Sequence, residues 1–378
     1  MEEATRGTQY TIECDLYLAF ELSKSKWKLG CSTGVGQHAR TRTIDAGDLL
    51  ALGQEIEAAK RRFGLAAEAP VKSCYEAGRD GFWLHRYLLE QEVENLVVDS
   101  SSIQVDRRAR RAKTDGIDVG KLLNMLIRYH RGEEKVWRVV HVPSIEAEDM
   151  RHLHRQLLAL KVDRTRHICR IKDLLFTQGL DVPIHVDFLD TLAAARMWEG
   201  SPLPPGLRAR VKREYASLRY VEQQIKELEA ERDEQIETSN HRSIEKVRQL
   251  MRLRAIGPNG AWLFVMEFFG WRQFRNRREV GGLSGLTPTP HQSGEQSREQ
   301  GISKAGNRPV RAMAIEIAWC WLRYQPDSEL TRWFYEKFGN GGTRMRKVGI
   351  VALARKLLVA LWRYLETGEV PAGAQLKP

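Results

Sequence analysis

Two hydrophobic periodicities divide this chain, and they constrain its fold more than any other feature. In the first third, short β-prone runs alternate with helical spacing. Residues 17–22 form an apolar run. Residues 26–31 alternate Trp27, Leu29 and Cys31 against Lys26, Lys28 and Gly30, as a half-buried strand requires. Residues 48–63 have helical spacing, residues 70–75 read as a strand ending at Glu76-Ala77-Gly78, residues 81–89 read as a helix, and ENLVVD at 94–99 as a further strand. Strands alternating with helices predict an α/β domain with helical crossovers. Beyond a helix predicted at 114–130, the pattern becomes long, charged and helical over 144–178 and 205–237. There Leu218, Val221, Ile225 and Leu228 recur at helical spacing among Glu, Arg and Lys, which predicts an extended helical hairpin or coiled-coil arm broken at Pro202, Pro204 and Pro205. From about 247 the chain reads as helices around one Gly/Ser/Pro-rich loop at 281–306, with apolar helices at 310–323 and 346–365. The predicted organisation is therefore α/β plus α: residues 1–140, an arm at 141–245, and a mainly helical part at 246–378.

A chain of 378 residues exceeds one average core, in keeping with that division. Its 42% hydrophobic and 29% charged composition is that of a globular protein rather than a disordered one. The net charge of +11 favours a polyanionic partner, and nucleic acid is the commonest polyanion. The cysteines (Cys14, Cys31, Cys74, Cys169 and Cys320) are dispersed and form no C-x-x-C pair, which argues against a zinc site and suits a reducing compartment. The polar start MEEATRGTQY does not read as a signal peptide, and no apolar run approaches the ~20 residues that span a bilayer. The expectation is a soluble, cytoplasmic protein.

Several segments carry chemistry. DRRARRAK at 106–113 holds Arg107, Arg108, Arg110, Arg111 and Lys113. It is either a solvated basic loop or a phosphate-contacting segment. Four acids stand where an α/β nuclease-like domain would need them. Glu21 ends the first strand, Glu76 ends a central one, and Asp115 and Asp118 lie three apart at the start of a helix, on one face. Mg²⁺ (or Mn²⁺) prefers such hard oxygen ligands, and carboxylates at strand ends can hold it for phosphoryl transfer. Equally, Asp115 can be a helix N-cap and Glu21 and Glu76 solvent-facing strand ends. The 281–306 segment holds Ser284, Ser293, Ser297 and Ser303, with Arg298 and Lys304 close in sequence. An exposed serine beside cations could attack a phosphate, but surface loops are rich in serine for simpler reasons. A turn at AIGPNG, with Gly257 and Gly260, reads either as a helix-hairpin-helix element offering backbone N–H groups to a phosphate or as an ordinary αα-turn.

In order along the chain, AFELSKSKWKLG, SCYEAG, RRAKTDGIDVGKLL, LRAIGPNGAWLF, GGLSGLTPTPHQSG, GISKAGNRPVR and VALARKLLVAL closely resemble the motifs of IS110-family transposases. The resemblance spans nearly the whole chain. It implies a RuvC-like, RNase H-type domain whose acidic tetrad would be Glu21, Glu76, Asp115 and Asp118, with Glu21 replacing the family's usual Asp. It further implies Ser293 as the nucleophile, with Ser303, Ser297 and Ser284 as weaker candidates. Family behaviour adds serine-linked cutting and rejoining of double-stranded DNA, a noncoding guide RNA, and a homodimer or homotetramer whose active sites combine domains of different protomers. A water-using nuclease resembling Holliday-junction resolvases and an inactive nucleic-acid-binding relative are the alternatives.

Overall fold

The computed structural model describes residues 15–103, 115–133, 135–293 and 296–378, with backbone alone at 101, 115–118, 290–293 and 296–300. The chain divides into two compact units, Met1–Val142 and Pro143–Pro378.

The first unit is built on a mixed five-stranded sheet of order β3-β2-β1-β4-β5. β1 (Leu16–Leu22), β2 (Lys26–Ser32) and β3 (Arg40–Asp45) form an antiparallel meander, while β4 (Val71–Glu76) and β5 (Val93–Val98) run parallel to β1. The parallel pairs need crossovers. α1 (Leu49–Arg62), N-capped by Asp48, bridges β3 to β4, and α2 (Trp83–Glu90) bridges β4 to β5. Both cover one sheet face, where Leu16, Leu18, Phe20, Leu52, Ala59, Tyr75, Leu84 and Leu88 form a core. α3 (Asp115–His130) covers the other face, packing Leu122, Leu123 and Leu126 on Tyr17, Ala19 and Cys74. Strands covered on both faces read as nearly continuous apolar runs, which is why LYLAF was visible in the sequence. β3 was not. Of RTRTID only Ile44 is buried, because this strand forms the sheet edge.

In the second unit, α4 (Ile145–Asp149) precedes α5 (His152–Phe176), which pairs antiparallel with α7 (Pro205–Thr238). Ion pairs Lys161–Glu229 and His167–Glu214 mark the opposed directions. The stripe Leu218, Val221 and Ile225 is buried along this hairpin, as its helical spacing implied. A short α6 (Phe188–Ala194) seals its end through Phe188 and Leu192. The remaining helices share one core rich in aromatics, including Trp262, Phe264, Phe268, Trp321 and Phe334. They are α8 (Arg242–Met251), α9 (Pro258–Phe264), α10 (Arg277–Ser284), α11 (Arg308–Tyr324), α12 (Glu329–Phe338) and α13 (Thr343–Thr367). The segment at 281–306 is not an open loop. It contains an antiparallel hairpin, β6 (Pro288–Ser293) and β7 (Gln296–Ile302). No helix among the described residues is long and apolar enough to cross a membrane.

Candidate active site

Strand alternation assigns the sheet-end acids to a face. On β1, Leu16, Leu18 and Phe20 enter the α1–α2 core, whereas Tyr17 and Ala19 enter the α3 core. Successive residues alternate, so Glu21 follows Tyr17 and Ala19 onto the α3 side. On β4, Val71 and Tyr75 face α1 and α2 while Cys74 faces α3, so Glu76 also lies on the α3 side. β1 and β4 are parallel neighbours with Phe20 opposite Tyr75. Glu21 and Glu76 therefore follow at the next register position, at the carboxyl ends of adjacent strands and on one face. Open α/β sheets place their sites at that end.

The direction of α3 brings in the aspartates. Ring centroids of Tyr17 and His130 lie 6.0 Å apart, near the start of β1 and the end of α3. Gly30 lies against Val119, and Gly30 pairs with Ala19 across the β1–β2 ladder. α3 thus runs antiparallel to β1. Four residues back from Val119 is about 6 Å along a helix, and two residues on from Ala19 is about 6.6 Å along a strand. The first turn of α3, with Asp115 and Asp118, therefore lies level with Glu21. Among the described residues, no group of three or more His, Cys, Asp or Glu side chains is gathered for a metal. The four-acid set would need Asp115 and Asp118, whose side chains lie outside those described.

In the second unit, Ser293 is the last residue of β6 and pairs with Gln296, the first residue of β7, so it flanks the tip of the hairpin. Arg298 lies on β7 opposite His291, and Ser297 opposite Gln292. The foot of the hairpin is fastened to the end of α10. The Ser303, Lys304 and Asn307 N–H groups donate to the carbonyls of Thr287 (2.9 Å), Gly285 (3.1 Å) and Leu283 (3.0 Å). Gly285 at φ +70° and Gly306 at φ +96° permit this approach, since a Cβ on either would collide with the backbone carbonyl of Ala305 or Leu283. Lys304 is exposed and itself left-handed at φ +55°. Ser284 is fully buried and its hydroxyl donates to the Gly281 carbonyl at 3.0 Å, which removes it from the candidate nucleophiles. Ser303 is exposed.

The AIGPNG turn joins α8 to α9. Gly257 is the exposed N-cap of α9, but Gly260 is buried, and a Cβ there would lie 2.6 Å from Ile317 Cδ1 on α11. Helix packing therefore accounts for Gly260. The basic run bearing Arg107, Arg108, Arg110, Arg111 and Lys113 lies outside the described residues.

One polar cluster escaped the sequence reading. α9 continues into a π-helical turn, Val265–Phe269, which places Glu267 in the core. Such turns recur at functional sites. Arg155 on α5 donates to Glu267 from Nε at 2.7 Å and Nη2 at 3.1 Å. Burial disfavours ionisation of Glu267, but the Arg155 hydrogen bonds and the charges of Arg155 and Arg151 outweigh it and hold the carboxyl below its usual range. Asn307, which caps α11 through Val310 N–H, also reaches Glu267 at 3.5 Å. Adjacent His154 is buried, and burial, aided by the nearby cations and opposed by the charge of Glu267, pushes its pKa down to about 4. A lone Glu within an apolar run, WLFVMEFF, was the available signal.

Residues 247–332, which include α9, the π-turn and the serine hairpin, match the Transposase IS116/IS110/IS902 family. A Sinorhizobium fredii protein named as a transposase, y4rJ, is 40% identical over 375 residues, covering 96% of this chain and 94% of its own length. The transposase of insertion element IS1328 from Yersinia enterocolitica is 27% identical over 61% of this chain and 68% of its own length. A Pseudomonas aeruginosa protein named as a family 20 transposase is 28% identical over 60% of this chain and 66% of its own length. By this near full-length similarity and the family segment at 247–332, the chain belongs to the IS110 family of transposases.

Proposed function

We propose that the chain excises and inserts a mobile DNA element by serine-linked strand cleavage and rejoining, with the first unit acting as a RuvC-like, RNase H-type metal domain and the second supplying Ser293. The observation that carries this reading is the placement of Glu21 and Glu76 on one sheet face at neighbouring strand ends, with the first turn of α3 level with Glu21. The donors suit Mg²⁺ or Mn²⁺ chemically, because all four are carboxylates and hard cations take oxygen ligands. Glu21, Glu76, Asp115 and Asp118 would hold the ion, and Glu21 offers the same charge as Asp on a side chain one methylene longer. A bound ion would stabilise negative charge on the phosphoryl oxygens.

The chain's own groups then have defined tasks. Ser293 Oγ forms a bond to phosphorus as the bridging P–O bond to deoxyribose breaks, and the hydroxyl proton ends on the departing sugar oxygen. Attack by a sugar hydroxyl of the new partner strand reverses the sequence, releasing serine and conserving the phosphodiester. Arg298 and Lys304 are the proposed phosphate contacts near Ser293, and the 106–113 cations and the exposed Gly257 turn are further backbone contacts. Guidance by an element-encoded RNA and assembly as a homodimer or homotetramer complete the reading.

The test is Glu76→Gln. Glu76 is exposed at a strand end, so the fold should persist. With a plasmid carrying the element junction, RNA transcribed from the flanking DNA and Mg²⁺, the variant should bind DNA as wild type does and fail to cleave it. Cleavage at the wild-type rate would remove the metal domain from the mechanism.

A further inference from the structure

The second unit carries a basic groove that the proposed chemistry does not use. It encloses about 610 Å³ between α10 and α13. Arg277 and Arg278 stand on one side, at the start of α10, and Arg355, Lys356 and Arg363 on the other. Glu329 and Glu369 are the acids that line it, so cations outnumber acids five to two there. None of the five cations forms an ion pair among the described residues. Lys356 instead lies 4.6 Å over the Trp333 ring. On α13, Arg355 and Arg363 are eight residues apart, two turns along one face and about 12 Å in rise. An adjoining hollow shares Arg277, Arg363 and Glu369 and prolongs the groove past Asn276 and Trp362, adding one acid, Glu366, so that five cations face three acids over its whole length. Unpaired, convergent cations repel one another.

The place of the groove names the anion. Thr287 lines it and immediately precedes β6. Ser293 lies six residues on, within about 20 Å of extended chain, or roughly six phosphates of one strand at 3.4 Å rise.

We infer that this groove binds the phosphate backbone of the DNA strand flanking the phosphate that Ser293 attacks, holding it by charge without reading its sequence. The inference rests on the serine reading for its choice of DNA. Phosphate contacts of this kind fix register, while base pairing or base contacts select sequence.

The test uses the full chain carrying Ser293→Ala, in EDTA, so that neither nucleophile nor metal enters. The groove variant Arg355→Gln/Lys356→Gln/Arg363→Gln is compared with Lys337→Gln/Arg344→Gln/Arg346→Gln, which loses equal charge at exposed positions outside the groove. Binding of a fluorescein-labelled DNA duplex and of an RNA duplex of the same sequence is measured across a KCl series. The groove variant should lower the slope of log affinity against log salt for DNA by roughly 2–3, and the comparison variant by less than about 1. Equal slopes in the two variants, or a loss confined to the RNA duplex, overturns the inference. If the triple variant does not fold by circular dichroism, Arg363→Gln alone should lower the slope by about 1. Because this assay is independent of catalysis, a lowered slope in a protein whose wild type cleaves DNA without a covalent adduct would sink the serine chemistry and leave a DNA-backbone groove with no place relative to Ser293. An adduct with unchanged slopes would do the reverse.

Discussion

Replacing Gly30 with alanine should damage the proposed metal site from a distance. A Cβ at position 30 points at Val119 Cγ1 and falls more than about 1 Å short of the ~3.5 Å at which carbon atoms attract. Val119 is buried and cannot easily rotate away, because β-branched side chains in helices hold one strongly preferred rotamer. α3 must therefore lift from the sheet by about an ångström. Overpacking of this kind costs about 1–3 kcal/mol. The displaced part is the turn that carries Asp115 and Asp118, so Mn²⁺ affinity should fall together with stability. Urea denaturation and calorimetric Mn²⁺ titration measure the two effects. Val119→Ala in the Gly30→Ala background removes the colliding methyl groups and should restore Mn²⁺ binding. If Gly30→Ala stays within about 0.5 kcal/mol of wild type and binds Mn²⁺ equally well, α3 does not govern the site.

Two further outcomes follow from the second unit. Gly285→Ala combines a left-handed backbone with a collision against the Ala305 carbonyl. The conformational part alone costs about 1–2 kcal/mol, so the hairpin foot should become sensitive to limited proteolysis while the first unit stays intact. His154 has a folded pKa near 4 against an ordinary 6.5, so the unfolded chain binds more protons between those values and stability rises with pH through that window. Acidification from 6.5 to 4 should remove up to about 3 kcal/mol, and His154→Phe should abolish that part of the slope. An unchanged slope would show that His154 is not the group responsible.

The parts of this fold that were legible in the sequence are those buried by periodicity. LYLAF, VKSCYE and the Leu218–Val221–Ile225 stripe pack as their spacing demands, and Asp48 caps α1 at the predicted boundary. The missed elements lacked such a signal. β3 is a polar edge strand. The serine hairpin pairs PTPHQS with QSREQGI, whose large apolar residue is Ile302 alone, so no period-2 apolar pattern marks it. α12 was a different case, since Leu330, Trp333, Phe334 and Phe338 do follow helical spacing after a Ser328 cap. The acids could be nominated from sequence, but their common face depends on strand parity and on the direction of α3. The basic groove was hidden because α10 and α13 bring its cations together from segments far apart in the chain. Gly260 reads as a turn residue in the sequence, yet its packing against Ile317 is tertiary.

Serine-linked recombination requires a covalent bond between Ser293 and DNA. Wild-type protein, Mg²⁺, flanking-element RNA and a plasmid bearing the element junction should yield an adduct on denaturing gels, with the nucleotide mapped by mass spectrometry to Ser293, and Ser293→Ala should yield none. DNA cleaved equally by both proteins with no adduct would contradict the account and identify a nuclease that uses water.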